Sequence, residues 1–191
     1  VAKPVLQVII GSTRPGRVGP AVAQWFFDIA EAEGTFDVEL IDLVDYNLPL
    51  LDEPRHPILR QYEHEHTKRW SATIERADAF VLVIPEYNHS FNAATKNAID
   101  FLHHEWKHKP VGIVSYGGMA MGVRALQALK PVFNILRLVF SGEVTIPLPL
   151  NPVVDGVLTS NEVLDNGAKA IVKELSIMSP SLKALRESGV F

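Results

Sequence analysis

The chain has 191 residues, 47% of them hydrophobic and 21% charged, which suits one domain with a sizeable core and excludes wholesale disorder. Lys and Arg number 18 against 22 Asp and Glu, a formal net charge of -4. That lacks the basic excess of a nucleic-acid-binding domain and is too mild for the docking face of a small electron carrier.

No cysteine is present, which excludes disulfides, thiolate zinc sites and cysteine nucleophiles and suits a reducing compartment. The opening apolar run Val5–Ile10 is too short for a signal sequence. No apolar run approaches the ~20 residues that cross a bilayer. The expectation is a soluble, cytoplasmic protein with neither a membrane nor a nucleic-acid partner, and 1–191 forming a single domain.

In chain order, Val5–Ile10 reads as a buried strand. Val22, Trp25, Phe26, Ile29 and Ala30 form the apolar stripe of a helix over about Gly19–Glu33. Asp37–Asp42 reads as a second strand, followed by a loop to about Pro57. Leu59, Tyr62, His66, Trp70 and Ile74 predict a helix over Ile58–Arg76. Ala79–Ile84 is apolar throughout, as in a strand covered on both faces. Asn92 is placed as the N-cap of a helix running to Leu102. Pro110–Tyr116 is a fourth strand, Val123–Leu136 a helix, Leu138–Ile146 a fifth strand, 147–156 a Pro-rich loop, and Asn161–Ile177 the last helix. Five strands alternating with helices predict a doubly wound parallel α/β sheet, with right-handed crossovers placing helices on both faces.

Such sheets bind ligands beyond the C-terminal ends of their strands. Three connections fall there. The first, Gly11-Ser12-Thr13-Arg14-Pro15-Gly16-Arg17-Val18-Gly19, is dense in glycines, hydroxyls and arginines ahead of a helix. Glycines allow a tight turn, helix-start N–H groups favour an anion, and Arg14 and Arg17 match phosphate oxygens. The plainer alternative is a capped turn with two solvated arginines. The run is not G-x-G-x-x-G. Gly11 and Gly16 have Walker A spacing, but Arg17-Val18 replaces the Lys and Ser/Thr. A monophosphate-bearing ligand remains. The second connection, Pro85–Asn92, offers an aromatic, two amides and exposed backbone for a flat heteroaromatic ring; the third, Ser115-Tyr116-Gly117-Gly118, adds another aromatic and close backbone approach.

Gly-Ser-Thr-Arg-Pro-Gly-Arg (11–17), Pro-Glu-Tyr-Asn (85–88) followed by Lys96-Asn97-Ala98-Ile99-Asp100, and Ser-Tyr-Gly-Gly (115–118) resemble the NADPH-dependent FMN reductase family, over roughly Val5–Leu136. The resemblance implies a flavodoxin-like fold with strand order 2-1-3-4-5, bound FMN, NADPH or NADH as electron donor, and a homodimer or homotetramer. It places the FMN phosphate on Ser12, Thr13, Arg14, Arg17, Val18 and Gly19. The isoalloxazine ring falls between Pro85, Glu86, Tyr87 and Asn88 on one side and Ser115, Tyr116, Gly117 and Gly118 on the other. Many relatives carry a Ser and an Asn where this chain has Val18-Gly19-Pro20, which shifts more of the phosphate onto Arg17.

The implied reaction passes a hydride from NAD(P)H to the flavin and then to a small-molecule acceptor: a quinone, an azo compound, free flavin or a metal oxyanion. Tyr87 and His89 are the candidates to touch that acceptor. No catalytic acid or base is needed and no triad is visible. Two other readings stand beside it: an electron carrier of the flavodoxin type, and a non-catalytic flavin-binding regulator. The seven histidines predict no metal site; His64 and His66 diverge if both are helical, and His104 and His108 flank a helix end. Trp25 and Phe26 read as packing, whereas Tyr62, Trp70, Phe101 and Trp106 read as a subunit interface with a polar rim. Leu148–Asp155 matches no motif.

Overall fold

The computed structural model describes residues 2–190. Its elements in order are β1 (Val5–Ile10), α1 (Gly19–Glu33), β2 (Asp37–Asp42), α2 (Leu43–Tyr46), α3 (Glu65–Glu75), β3 (Ala79–Tyr87), β4 (Ser90–Phe91), α4 (Ala93–Asp100), β5 (Pro110–Gly117), α5 (Val123–Leu136), β6 (Val139–Pro147), β7 (Val153–Val154), β8 (Val157–Leu158) and α6 (Glu162–Glu187). The five long strands are all parallel, in the order β2-β1-β3-β5-β6, which is the flavodoxin-like order expected.

Alternation along each strand divides two cores. Leu6, Val8, Val81 and Val83 face α1 and α6, packing with Phe26 and Leu175. Ile9, Phe80, Leu82 and Ile84 face the other layer, with Trp70, Phe101, Trp106, Leu126 and Phe133. A strand buried on both faces needs no polar positions, which is why β3 reads as an unbroken apolar run.

Four expectations change. The helix expected from Ile58 begins only at Glu65; Pro57–Leu59 is a short 3-10 turn, and the Glu53 carboxylate accepts the N–H groups of Glu63 and His64 just before α3 starts. The last helix continues ten residues past Ile177, through Pro180. The stretch 147–156, expected to be loop throughout, contains β7, which pairs with β8 in a small hairpin. Trp70, Phe101 and Trp106 are fully buried within this chain and do not form a subunit face. Trp70 donates to Ala98 O at 2.8 Å, and Trp106 stacks edge-on against Phe80 at 5.0 Å. Their charged sequence neighbours misled: Lys68 and Arg69 are exposed while Trp70 beside them faces the core. Trp25 is also only partly buried, its indole N–H donating to Asp165 on α6.

His64 lies just outside α3 and so escapes the helical divergence; its ring stacks on His66 at 5.2 Å, and both Nε2 atoms face the Asp52 carboxylate. Among the described residues no group of three His, Asp or Glu side chains could hold a metal, and no helix is long and apolar enough to cross a membrane.

At the opposite end of the sheet from the candidate site, Lys109 is 3% exposed and its Nζ donates to the carbonyls of Ile74 and Glu75, capping the C-terminus of α3. Burial lowers its pKa from 10.5 to about 7. The unfolded chain protonates this amine near its ordinary pKa and the folded chain only near 7. Unfolding therefore takes up a proton across that window, and stability falls as pH is lowered through it, by at most ~1.4 kcal/mol per pH unit. Denaturant titrations of the natural chain and Lys109→Met between pH 7 and 10 are expected to show this slope in the former and a flatter one in the latter.

Candidate functional site

A cleft of ≈ 440 Å³ opens at the C-terminal edge of the sheet, lined by Ser12, Arg14, Arg17, Val18, Pro85, Glu86, Tyr87, Tyr116, Gly117, Gly118, Leu148 and Pro149. Ten residues from the three specialised connections thus meet in one place. Leu148 and Pro149 were not foreseen; the Leu148 N–H donates to Gly117 O at 2.9 Å, which brings the turn after β6 to the rim.

The remaining candidates sit around it. Thr13 lines a neighbouring hollow with Asn47 and Asn97. Gly19 and Ser115 are buried under the cleft. Asn88 and His89, with φ of 49° and 66°, form the two-residue turn between Tyr87 and Ser90, the left-handed pair that a tight hairpin requires. They are exposed and do not line the cleft.

The β1–α1 turn is shaped by where its carbonyls go. Arg17 donates through Nη1 to Ser12 O at 2.5 Å, and through both terminal nitrogens to the Asp42 carboxylate at 2.6 and 2.5 Å. That hydrogen-bonded carboxylate raises the Arg17 pKa against the opposing cost of burial. The Gly11 carbonyl accepts from the Asn92 side-chain amide at 2.6 Å; Asn92 spends its side chain there and not on capping α4. Gly16 takes the left-handed φ of 71° that closes the turn.

The donors, by contrast, are left over. Arg17 N–H reaches Arg14 O, but the amides of Ser12, Thr13, Arg14, Gly16 and Val18 have no backbone acceptor among the described residues. The N-cap of α1, Val18, offers no side-chain cap, and the first turn holds no acidic residue. Arg14 is exposed, 6.0 Å from the Tyr87 ring centroid, and forms no ion pair among the described residues. A helix N-terminus with unspent amides and a guanidinium outside any ion pair suits an anion.

Tyr116 points the same way. It is 4% exposed, and among the described residues its Oη completes no well-formed hydrogen bond, the Ser12 hydroxyl being a polar neighbour. A Cβ at Gly19 would lie 2.8 Å from that oxygen, so the glycine makes room for it. Burial raises the Tyr116 pKa, with the neighbouring Ser12 hydroxyl opposing, so the phenol is neutral and a donor. Ser12 Oγ lies 3.4 Å from Tyr87 Oη, so Ser12 brings together the hydroxyls of the two tyrosines. A phosphate monoester attached to a flat ring fits these donors and the aromatic rim.

Sequence reasoning missed Asp42, Asn92 and Arg124 as supports. Asp42 was legible in part: parallel register sets it opposite Ile10, at the strand edge beside two arginines.

Fold and cleft together define a flavodoxin-like flavin-binding protein. Residues 5–150 match the family model NADPH-dependent FMN reductase, and the chain belongs to that family. It is 42% identical over 158 residues to the NAD(P)H-dependent FMN reductase of Schizosaccharomyces pombe, covering 81% of this chain and 78% of that one. It is 30% identical over 192 residues to the NADPH azoreductase of Bacillus sp., covering 97% and 98%. Among solved structures, the flavoenzyme NAD(P)H:(acceptor) oxidoreductase of Paracoccus denitrificans superposes with a TM-score of 0.67 over 92% of this chain and 98% of that one, at 21% identity. The chain is accordingly an oxidoreductase that uses FMN with NADPH or NADH.

Tyr116→Phe separates the two roles of the buried hydroxyl. Removing an unpaired buried polar group is expected to stabilise the FMN-free protein by about 1 kcal/mol, read by thermal unfolding, while weakening FMN binding in fluorescence titration.

Proposed function

We propose that the cleft holds FMN with its phosphate on the β1–α1 turn, at Ser12, Thr13, Arg14, Arg17, Val18 and Gly19. The ring lies between Pro85, Glu86, Tyr87 and Asn88 and the facing segment Ser115, Tyr116, Gly117 and Gly118. The observation that carries this reading is the convergence of unspent donors, the turn amides and Tyr116 Oη, at the point where three strands end. Arg17 acts here chiefly by shaping the turn, since Asp42 already takes its two terminal nitrogens. Arg14, exposed and outside any ion pair among the described residues, supplies the positive charge.

When bound, FMN supplies the redox chemistry, taking a hydride from NAD(P)H and passing reducing equivalents to an acceptor. The protein's part is to bind, orient and leave one side open. Tyr87, 38% exposed at the rim, is assigned to meet the acceptor, and His89, on the turn outside the cleft, to meet the part of it that extends beyond the rim. A flat, electron-poor acceptor such as a quinone or azo compound suits an open aromatic rim; the azoreductase relative supports that class. Free flavin or a metal oxyanion would use the same exposed side. The cysteine-free composition suits the reducing cytoplasm.

A homodimer is part of the proposal. A groove of ≈ 710 Å³ is lined by Leu51, Ile58, Ile99, Leu102, Val132 and Ile135 among others, several of them exposed. On its rim Lys96 and Asp100 pair one helical turn apart, so a two-fold axis across α4 sets each cation against the other copy's carboxylate. Sedimentation equilibrium is expected to give a dimer for the natural chain and a monomer for Ile135→Glu; a monomeric natural chain overturns this assignment.

The flavin reading is tested by adding FMN to the purified protein and mixing it anaerobically with NADPH or NADH. Rapid bleaching of the bound flavin is expected. Binding without bleaching would favour a carrier or regulator. Arg14→Ala is expected to weaken FMN binding at least ~10-fold, the size of one charge-assisted hydrogen bond.

A further inference from the structure

An ion pair ties the β3 wall of the cleft to the start of α5, the helix that follows the Tyr116–Gly118 wall. Glu86, on the β3 wall, has a side chain only 9% exposed, and its carboxylate accepts from the backbone N–H of Arg124 at 3.0 Å and from Arg124 Nη1 at 3.0 Å. Arg124 is the second residue of α5, whose N-cap, Gly122, has no side chain to cap the helix. Glu86 therefore caps α5 from another element, and its charge is matched by a helix N-terminus and a guanidinium. The strands run on to the same place: Pro85 is in register with Tyr116, and a Cβ at Gly117 would meet Glu86 Cβ at 3.5 Å.

We propose that Arg124 is a positioning residue for the reaction: by holding and neutralising Glu86 it fixes the Pro85–Tyr87 wall against Tyr116–Gly118 and sets the charge experienced by a flavin between them. The inference rests on the flavin reading of the cleft. Its physical content is a sign. A carboxylate left without its partner in this shielded wall disfavours the more electron-rich, reduced flavin, whereas a guanidinium left alone favours it. Loss of either member as a purely structural brace would instead weaken both oxidation states together.

The test is a reductive titration of FMN-loaded protein against a reference dye, with FMN dissociation constants for each variant. Arg124→Gln is expected to lower the relative affinity for reduced over oxidised FMN about tenfold, a fall of about 30 mV for a two-electron couple. Glu86→Gln, which keeps an oxygen for the Arg124 N–H, is expected to raise it. The double substitution is expected to return close to the natural value, and Arg124→Lys to keep most of it. Shifts of the same sign, no shift, or a double variant that does not return each overturn the inference, and thermal unfolding of the double variant checks that the wall still folds. Failure of the unsubstituted protein to take up FMN would overturn the flavin reading itself, before any variant is compared.

Discussion

The fork between Arg17 and Asp42 is the interaction on which the site depends. Parallel pairing places Asp42 opposite Ile10, so a carboxylate arrives at the edge where β1 gives way to its turn. Arg17 satisfies both of its oxygens and keeps an N–H for Ser12 O. A trans peptide aims its carbonyl and the next amide in opposite directions. Drawing the Ser12 carbonyl toward Arg17 therefore turns the Thr13 N–H away from it. Asn92 draws off the Gly11 carbonyl in the same manner. The carbonyls of Gly11 and Ser12 are thus engaged inside the protein while most amides of the turn are not, so the anion site proposed there rests on backbone geometry more than on counted arginines.

That distinction explains which parts of the site were legible. Glycines, hydroxyls and a helix start are local features, and the turn at 11–19 was recognisable from them. The task of Arg17 was not, because its partner lies 25 residues further on and is joined only by strand register. The side chain expected at the phosphate also braces the turn, through Ser12 O and Asp42. Asn92 was read correctly as the residue before α4, but its amide reaches across to Gly11. Tyr116 stood out as an aromatic in the right connection; that its hydroxyl would be buried without a partner depends on Gly19, on a different element.

The fold was more legible than the site because its signals are periodic. β1, α1 and β2 begin and end where alternation and the apolar stripe place them. Departures occur where a long-range contact replaces a local signal. Pro85 seemed to end β3, yet the strand continues to Tyr87 because Pro85 pairs with β5 and Glu86 and Tyr87 pair with β4. The aromatics of α3 and the turn after α4 lie among charges in sequence but face inward. Glu105, fully buried, is satisfied there by Tyr62 and Ser71, so even the charged neighbour belongs to the core.

Charge at the cleft follows one pattern. Asp42 is matched by Arg17 and Glu86 by Arg124, so both carboxylates nearest the cleft are spent on holding its walls. What faces inward is the Arg14 guanidinium, unspent amides and the hydroxyls of Ser12, Tyr87 and Tyr116. Neutral donors and one cation can bind and orient an anionic ligand, but they offer no free carboxylate or imidazole among the lining residues to move a proton on demand. Such a cleft suits a ligand that brings its own reactivity, and an exposed rim that admits donor and acceptor in turn suits a reaction in two halves. The walls then need only to remain in register while one small molecule replaces another, which is a mechanical requirement, met here by two ion pairs and a shared sheet edge.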